Sequence, residues 1–448
     1  RRPALPPVVP VESRPDRVPL SFAQQRMWFI NQLEPASGMY NIPTLLRVSG
    51  ALDVDALCAA LGDVLARHEV LRTTFPSADG EPFQLVHGVD EIAERLDWRK
   101  VGAISDIEAA VSGGFALERE WPVRARVWES GPGERVVAIV MHHIASDGES
   151  LAPLVTDLVA AYLARASGEP PAFVPLDVQY ADYAIWQHEV LGSPDDAESV
   201  VGRQLAYWTG QLAGLPDVLE LPADRPRPAV ASGRGVRTAF EVPSTITERV
   251  RQVADARGVT PFMVLHAALA VTLFRLSGTD DIAISTPIAG RGREVLDPLI
   301  GMFVNTLVLR TEVDAAGSFS QLLDRVHTVD VDAFANADVP FEAVVDAVNP
   351  VRSEAFAPLA QVMLVAAPKT EGVPQAIELG DLEFAPVVTE EVPAQRDLTV
   401  SIEIGGAGAW TGSVIAATDL FDAETVDVFA SRLVAVLDGL TAAPESVV

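Results

Sequence analysis

Five consecutive apolar residues, Val136, Val137, Ala138, Ile139 and Val140, run directly into Met141-His142-His143-Ile144-Ala145-Ser146-Asp147-Gly148. A run without polar alternation suits a strand covered on both faces. Beyond the loop, Leu151, Leu154, Val155, Leu158 and Tyr162 keep helical spacing and Pro153 falls in the first turn. Asp147 or Ser150 is placed to cap the free amides. The segment is therefore a buried strand that turns a corner into a helix. Adjacent strand residues point to opposite faces, so His142 and His143 cannot both look into one cavity, and only one is expected to do chemistry. A lone histidine on an apolar strand is ordinarily a satisfied core residue. A His-His-x-x-x-Asp-Gly corner favours a functional site instead.

Several chemistries are disfavoured by the same residues. Two metal ligands from one strand would have to share a face, and the single cysteine, Cys58, offers no thiolate cluster, so no metal site is expected. No Gly-x-Ser-x-Gly elbow occurs to support a Ser-His-Asp hydrolase. A formal charge of −29 argues against nucleic acid, whose phosphates need clustered Lys and Arg. No apolar run approaches the ~20 residues that span a bilayer, and one cysteine cannot form an internal disulfide, so a reducing cytoplasm and no membrane partner are expected.

At 448 residues and 49% hydrophobic content the chain can fill two ordinary cores. Residues 1–19, with Pro3, Pro6, Pro7 and Pro10, read as an extended linker from an upstream domain of a larger protein. Ser21-x-x-Gln24 makes a capping box for a helix carrying Met27, Ile30 and Leu33. Thr44 to Val48 suits a strand, and Asp53 caps a helix bearing Leu57, Leu61 and Leu65. Arg67, at the end of that helix, either favours the negative pole or forms a structural ion pair. A boundary is expected near residue 190, giving a first lobe over 20–190 and a second over 191–448, with a proline-rich crossing from Leu215 to Gly235. Thr260-Pro261 starts a strongly apolar helix that Gly278 stops. Ile282 to Ser285 reads as a strand, Gly290-Arg291-Gly292-Arg293 as a mobile turn, and Met302 to Leu309 as a strand. Asn305 and Thr306 interrupt that last run; they either line a cavity or pair across strands. Strand and helix signals alternate in both halves, which indicates α/β layers.

The corner motif resembles that of condensation domains of nonribosomal peptide synthetases, and the likeness extends along the chain. Ser21-Phe22-Ala23-Gln24-Gln25-Arg26-Met27-Trp28 resembles the family's first motif, and Arg67-His68-Glu69-Val70-Leu71-Arg72-Thr73-Thr74-Phe75 the second. Tyr180-Ala181-Asp182-Tyr183-Ala184-Ile185-Trp186 is similar to the fourth and Ile300-Gly301-Met302-Phe303-Val304-Asn305-Thr306 to the fifth. Asp338-Val339-Pro340-Phe341-Glu342 and Arg396-Asp397-Leu398 resemble the last two.

The resemblance implies an α/β fold of two chloramphenicol acetyltransferase-like lobes in a V-shaped pseudo-dimer with an interlobe tunnel. It also implies a latch from the second lobe, for which residues 370–395 are the candidate. The implied reaction joins an upstream acyl thioester, the donor, to the amine of a downstream aminoacyl thioester. Both ride on phosphopantetheine arms of separate carrier domains, beside an adenylation domain, and no cofactor is bound intrinsically. The excised domain is expected to be monomeric. By position, His143 is the catalytic residue; His142, Asp147, Gly148, Arg291 and Arg67 are structural; Gln24, Glu149, Asn305 and Thr306 are tunnel-lining candidates. Asp147 is implied to pair with an arginine from the second lobe, for which Arg291 is the candidate. Gly148 fits a turn requiring close approach or positive φ.

Many family members carry Trp after the Asp-Gly pair, where this chain has Glu149. The segments 147–154 and 261–265 resemble the subgroup that takes a D-configured donor. Three rivals remain: a non-catalytic domain of the same fold that recruits other enzymes, an epimerization domain, and a lipid acyltransferase. The first has lost the second His or the Gly, the second needs a further acid or base that is not found, and the third normally meets a membrane through features absent here.

Overall fold

The strand Glu134–His142 lies between Asn41–Ser49 and Val123–Gly131, antiparallel to both, and every residue from Val136 to His142 is buried. Both faces are covered, as the unbroken apolar run requires. The computed structural model describes residues 5–368, 377–387 and 392–448. Its chain forms two compact units, each a mixed sheet with helices, so the α/β class read from alternating signals is the class observed.

In the first unit the sheet order is Ile377–Leu379, Leu382–Pro386, Asn41–Ser49, Glu134–His142, Val123–Gly131 and Asp97–Val101, all antiparallel except the final pair. Helices Val54–Arg67 and Leu151–Ala166 pack on one another beside it. Asp53 caps the first of these through the amides of Asp55 and Ala56, and Leu57, Leu61 and Leu65 are buried. The unit continues past the expected boundary at 190 to Val201, and it includes Ala289–Val304. Residues 5–19 are docked rather than free. Val8 is buried, Trp186 Nε1 donates to the Pro6 carbonyl, and Arg14 makes a two-pronged contact with the buried Asp182 carboxylate. An arginine fork on a buried carboxylate fixes a segment whose prolines set only its extended path.

Of the latch candidate 370–395, residues 370–376 and 388–391 lie outside the described residues. The strands Ile377–Leu379 and Leu382–Pro386 belong to the first unit's sheet, whereas Val392–Pro393 pairs with Arg234–Val242 in the second.

The second unit's sheet runs Asn305–Glu312, Asp281–Ile288, Val362–Pro368, Leu398–Ile404, Trp410–Ala417, Arg234–Val242, Val392–Pro393. Val362–Pro368 is parallel to both its neighbours and the other pairings are antiparallel. The helix Pro261–Ser277 has Thr260 as its cap, Pro at its first position and Gly278 in the left-handed region at its end. No single helix among the described residues is long and apolar enough to cross a membrane.

Candidate active site

The strand ends at His142, and His143–Ala145 forms a 3-10 turn. The two histidines therefore diverge through a change of backbone conformation, not through continued strand alternation. His143 N–H still donates to the Tyr40 carbonyl at 2.8 Å, which ties the turn to the residue preceding the strand Asn41–Ser49. His142 is 3% exposed, its Nδ1 accepts the Ile144 amide at 3.0 Å, and its ring meets Phe115 edge-on at 5.8 Å. Burial, reinforced by His143 and Arg124, pushes its pKa down to about 3. It is a neutral core residue that caps the turn.

His143 is only partly covered. Burial also lowers its pKa, and Arg26 adds to that effect while the Asp147 charge and nearby backbone groups oppose it. A neutral imidazole has one N–H donor and one acceptor nitrogen. Its buried Nδ1 has no side-chain hydrogen-bond partner among the described residues, and the polar groups beside the ring are the backbones of His143 and Ser146.

Asp147 organises the corner. Its Oδ1 accepts from the Ser150 amide and hydroxyl at 3.0 and 2.7 Å and from Arg291 Nη2 at 3.2 Å. Its Oδ2 accepts the amides of Phe303 and Val304 at 2.9 and 3.2 Å. Those amides explain why the strand expected from Met302 begins only at Asn305: the preceding backbone serves a carboxylate, not a ladder. Arg291 is itself held, donating through Nη1 to the carbonyls of Leu296 and Leu299 at 2.7 and 2.9 Å, with its guanidinium over the Phe303 ring. The expected mobile turn is thus a fixed one. Gly290 has φ +67°, and a Cβ there would overlap the Phe303 carbonyl. Arg291 and Asp147 both lie in the first unit, so the pair does not join two lobes as expected.

The other residues separate into groups. Gln24, expected to line a tunnel, is fully buried and donates to the Ile144 carbonyl at 3.1 Å. Gly148 is exposed, has no positive φ, and a Cβ would meet nothing within 4 Å. Neither reason offered for this glycine holds within the protein. Glu149 is exposed. Arg67 stands apart from the corner in an ion pair with Asp157 at 2.8 Å, beside the Phe173 ring. Asn305 and Thr306 lie in the second unit, where Asn305 donates to the carbonyls of Ala337 and Val339 and accepts the amides of Thr306 and Phe341.

Ser150, His68 and Tyr180 were not among the expected site residues. Ser150 Oγ accepts the Gly301 amide at 3.1 Å. His68 is buried between Asp157, 2.7 Å from its Nε2, and the Ile300 amide, 3.4 Å from its Nδ1. Its pKa is lowered, chiefly by burial. Tyr180 donates to the Met302 carbonyl at 2.6 Å, and burial raises its pKa well above the usual phenol value. The only signal for His68 and Tyr180 was their place inside two of the motifs.

Residues 15–448 match the family model of the condensation domain. The chain is 43% identical to the isonitrile lipopeptide synthase of Mycobacterium tuberculosis over 97% of its own length and 18% of that protein. It is 42% identical to the dimodular nonribosomal peptide synthase of Bacillus subtilis over 98% of its length and 19% of that protein. It therefore spans less than a fifth of either relative. Among solved structures it resembles the X-domain from teicoplanin biosynthesis, with 32% identity, a TM-score of 0.86 and 98% of both chains covered; that X-domain is also solved in complex with OxyB. With the His-His-x-x-x-Asp-Gly corner in place and the match running nearly end to end, the chain belongs to the condensation domain family of nonribosomal peptide synthetases, whose members are amide-forming acyltransferases.

Proposed function

We propose that this domain joins a carrier-bound acyl or peptidyl thioester to the amine of a second carrier-bound aminoacyl thioester, with His143 at the reacting centre. The nitrogen attacks the thioester carbonyl, the C–N bond forms, the C–S bond breaks, and the nitrogen's surplus proton is carried off as the thiol departs. The supporting observation is His143 itself, partly exposed and held neutral by burial on a corner fixed by Asp147. A neutral imidazole can accept a hydrogen bond from the attacking amine, orient it and take its proton. An α-amino group titrates near ~7.7 to 8, so orientation can supply much of the effect. The substrates are proposed to arrive on phosphopantetheine arms of an upstream and a downstream carrier domain in a cytoplasmic assembly line. The donor is proposed to be D-configured at its reacting residue, on the resemblance of segments 147–154 and 261–265.

A second reading, a recruiting domain without chemistry, draws on the likeness to the X-domain solved in complex with OxyB. Loading two carriers with defined aminoacyl groups and analysing the acceptor by mass spectrometry separates the two. A dipeptide that requires this domain and disappears with His143→Ala supports condensation. Intact carriers with no dipeptide overturn it.

A further inference from the structure

A catalytic histidine is usually held by a hydrogen bond to its second ring nitrogen. Here His143 Nδ1 is buried with no side-chain hydrogen bond among the described residues, and the polar groups acting on the ring are the backbones of His143 and Ser146 and the Asp147 charge. The turn from His143 to Ser146 is then the hydrogen-bonded support nearest the ring, and its backbone sits in a closed hydrogen-bonded circuit. Ile144 gives its carbonyl to Gln24 Nε2. Gln24 Oε1 accepts the Ser21 amide at 3.0 Å, and the Gln24 amide donates to Ser21 Oγ at 3.1 Å. Ser21 Oγ is 2.8 Å from Tyr180 Oη, and Tyr180 Oη is 2.6 Å from the Met302 carbonyl. The next amide, Phe303 N–H, reaches Asp147, three residues from Ile144.

The direction of every proton in this circuit is fixed. A carbonyl only accepts, so Tyr180 must donate to Met302, and its single proton is then used. Ser21 must therefore donate to Tyr180, leaving its lone pairs for the Gln24 amide. No member can rotate to another partner without leaving a buried group unsatisfied, and Ser21, Gln24, Tyr180, Asp147 and Ile144 are all 1% exposed or less.

We propose that Gln24 and Tyr180 are positioning residues that set the orientation of His143 through this circuit. The proposal rests on the reading of His143 as the reacting-centre imidazole. Tyr180→Phe keeps the ring and removes the proton; Gln24→Met keeps the length and removes both hydrogen bonds. Each variant is made in the wild-type domain and in His143→Ala, and two readouts are taken. Histidine ¹⁵N resonances, with His143 assigned from a His143→Gln spectrum, report the environment of the imidazole. Turnover of two loaded carriers reports kcat and KM.

The expected result is a displaced His143 resonance, a roughly tenfold or greater fall in kcat at unchanged KM, and no further loss on the His143→Ala background. Unchanged His143 resonances in both folded variants overturn the proposal, and so does an equal fold-loss on the His143→Ala background. Should His143→Ala itself turn over normally, the catalytic reading fails, while the resonance comparison still decides whether the circuit holds the ring.

Discussion

Arg291 donates through Nη2 to Asp147 Oδ1 at 3.2 Å across 144 residues of sequence, with both side chains buried. The carboxylate also holds the Phe303 and Val304 amides, so it joins two distant stretches of one unit. Asp147→Ala strands a buried guanidinium and three amides, and should cost about 3 to 5 kcal/mol in chemical denaturation. Arg291→Met should cost less, because the remaining carboxylate keeps four hydrogen bonds. A double-mutant cycle should show a coupling above about 1 kcal/mol; additive losses would refute a functional pair.

The adjacent histidines should separate stability from activity. His143→Ala is expected to fold normally and lose about 10²-fold or more in single-turnover amide formation. His142→Ala removes the cap on Ile144 and leaves a cavity beside Phe115, and should cost about 2 kcal/mol or more. Near-normal turnover by folded His143→Ala would remove that residue from the reacting centre.

How much of this was legible in sequence varies with range. Ser21 and Gln24, Asp53, and Thr260 with Gly278 declared helix ends correctly because capping is decided within four residues. Val136 to Val140 declared a doubly covered strand because burial on both faces suppresses alternation. Neither signal states which distant strand will be the partner. Nothing in the period of Leu382–Pro386 marks it as a neighbour of Asn41–Ser49, and nothing in Gly290-Arg291-Gly292 shows that Leu296 and Leu299 will hold the arginine still. The glycines were read as freedom; with the guanidinium fixed, they permit a sharp rigid turn. Motif likeness reached Arg291 where periodicity could not, yet placed it on the wrong side of the unit boundary.

Burial of His142 as a neutral ring predicts a loss of stability in acid. Its folded pKa, about 3, lies below the ordinary histidine value, so between those values the unfolded chain binds more protons. Stability should therefore be complete above pH ~6.5 and fall as pH drops toward 3. Between pH 7 and 5 the loss from this residue should be about 2 kcal/mol. His68 and His143, shifted in the same direction, add to it. His142→Asn, whose carbonyl can replace Nδ1 as the acceptor for Ile144, should flatten the profile in urea denaturation. An unchanged slope would mean that His142 is not the titrating group.

Gly148 should tolerate a methyl group. A Cβ there meets nothing within 4 Å and the backbone needs no positive φ, so Gly148→Ala should change unfolding free energy by less than about 0.5 kcal/mol. A fall in turnover without a fall in stability would mean that the open space over Gly148 is occupied by substrate. A large loss of stability would contradict the geometry of this turn.

Donor configuration is the most specific expectation. The segment Asp147 to Leu154 opens the helix after the corner, and Pro261 to Leu265 opens a helix of the second unit. These two segments carry the proposal of a D-configured donor. Such a choice requires little energy, since each ~1.4 kcal/mol of transition-state difference is a tenfold ratio in rate. Carriers loaded with matched peptides ending in a D or an L residue, competed for one fixed acceptor, should be consumed with the D form favoured at least tenfold. Because both donors present the same thioester to His143, His143→Ala should slow the two equally and leave the ratio intact. A change in ratio with that substitution would place stereochemical selection at the imidazole. Equal consumption, or faster use of the L form, would refute the donor assignment and leave amide formation standing.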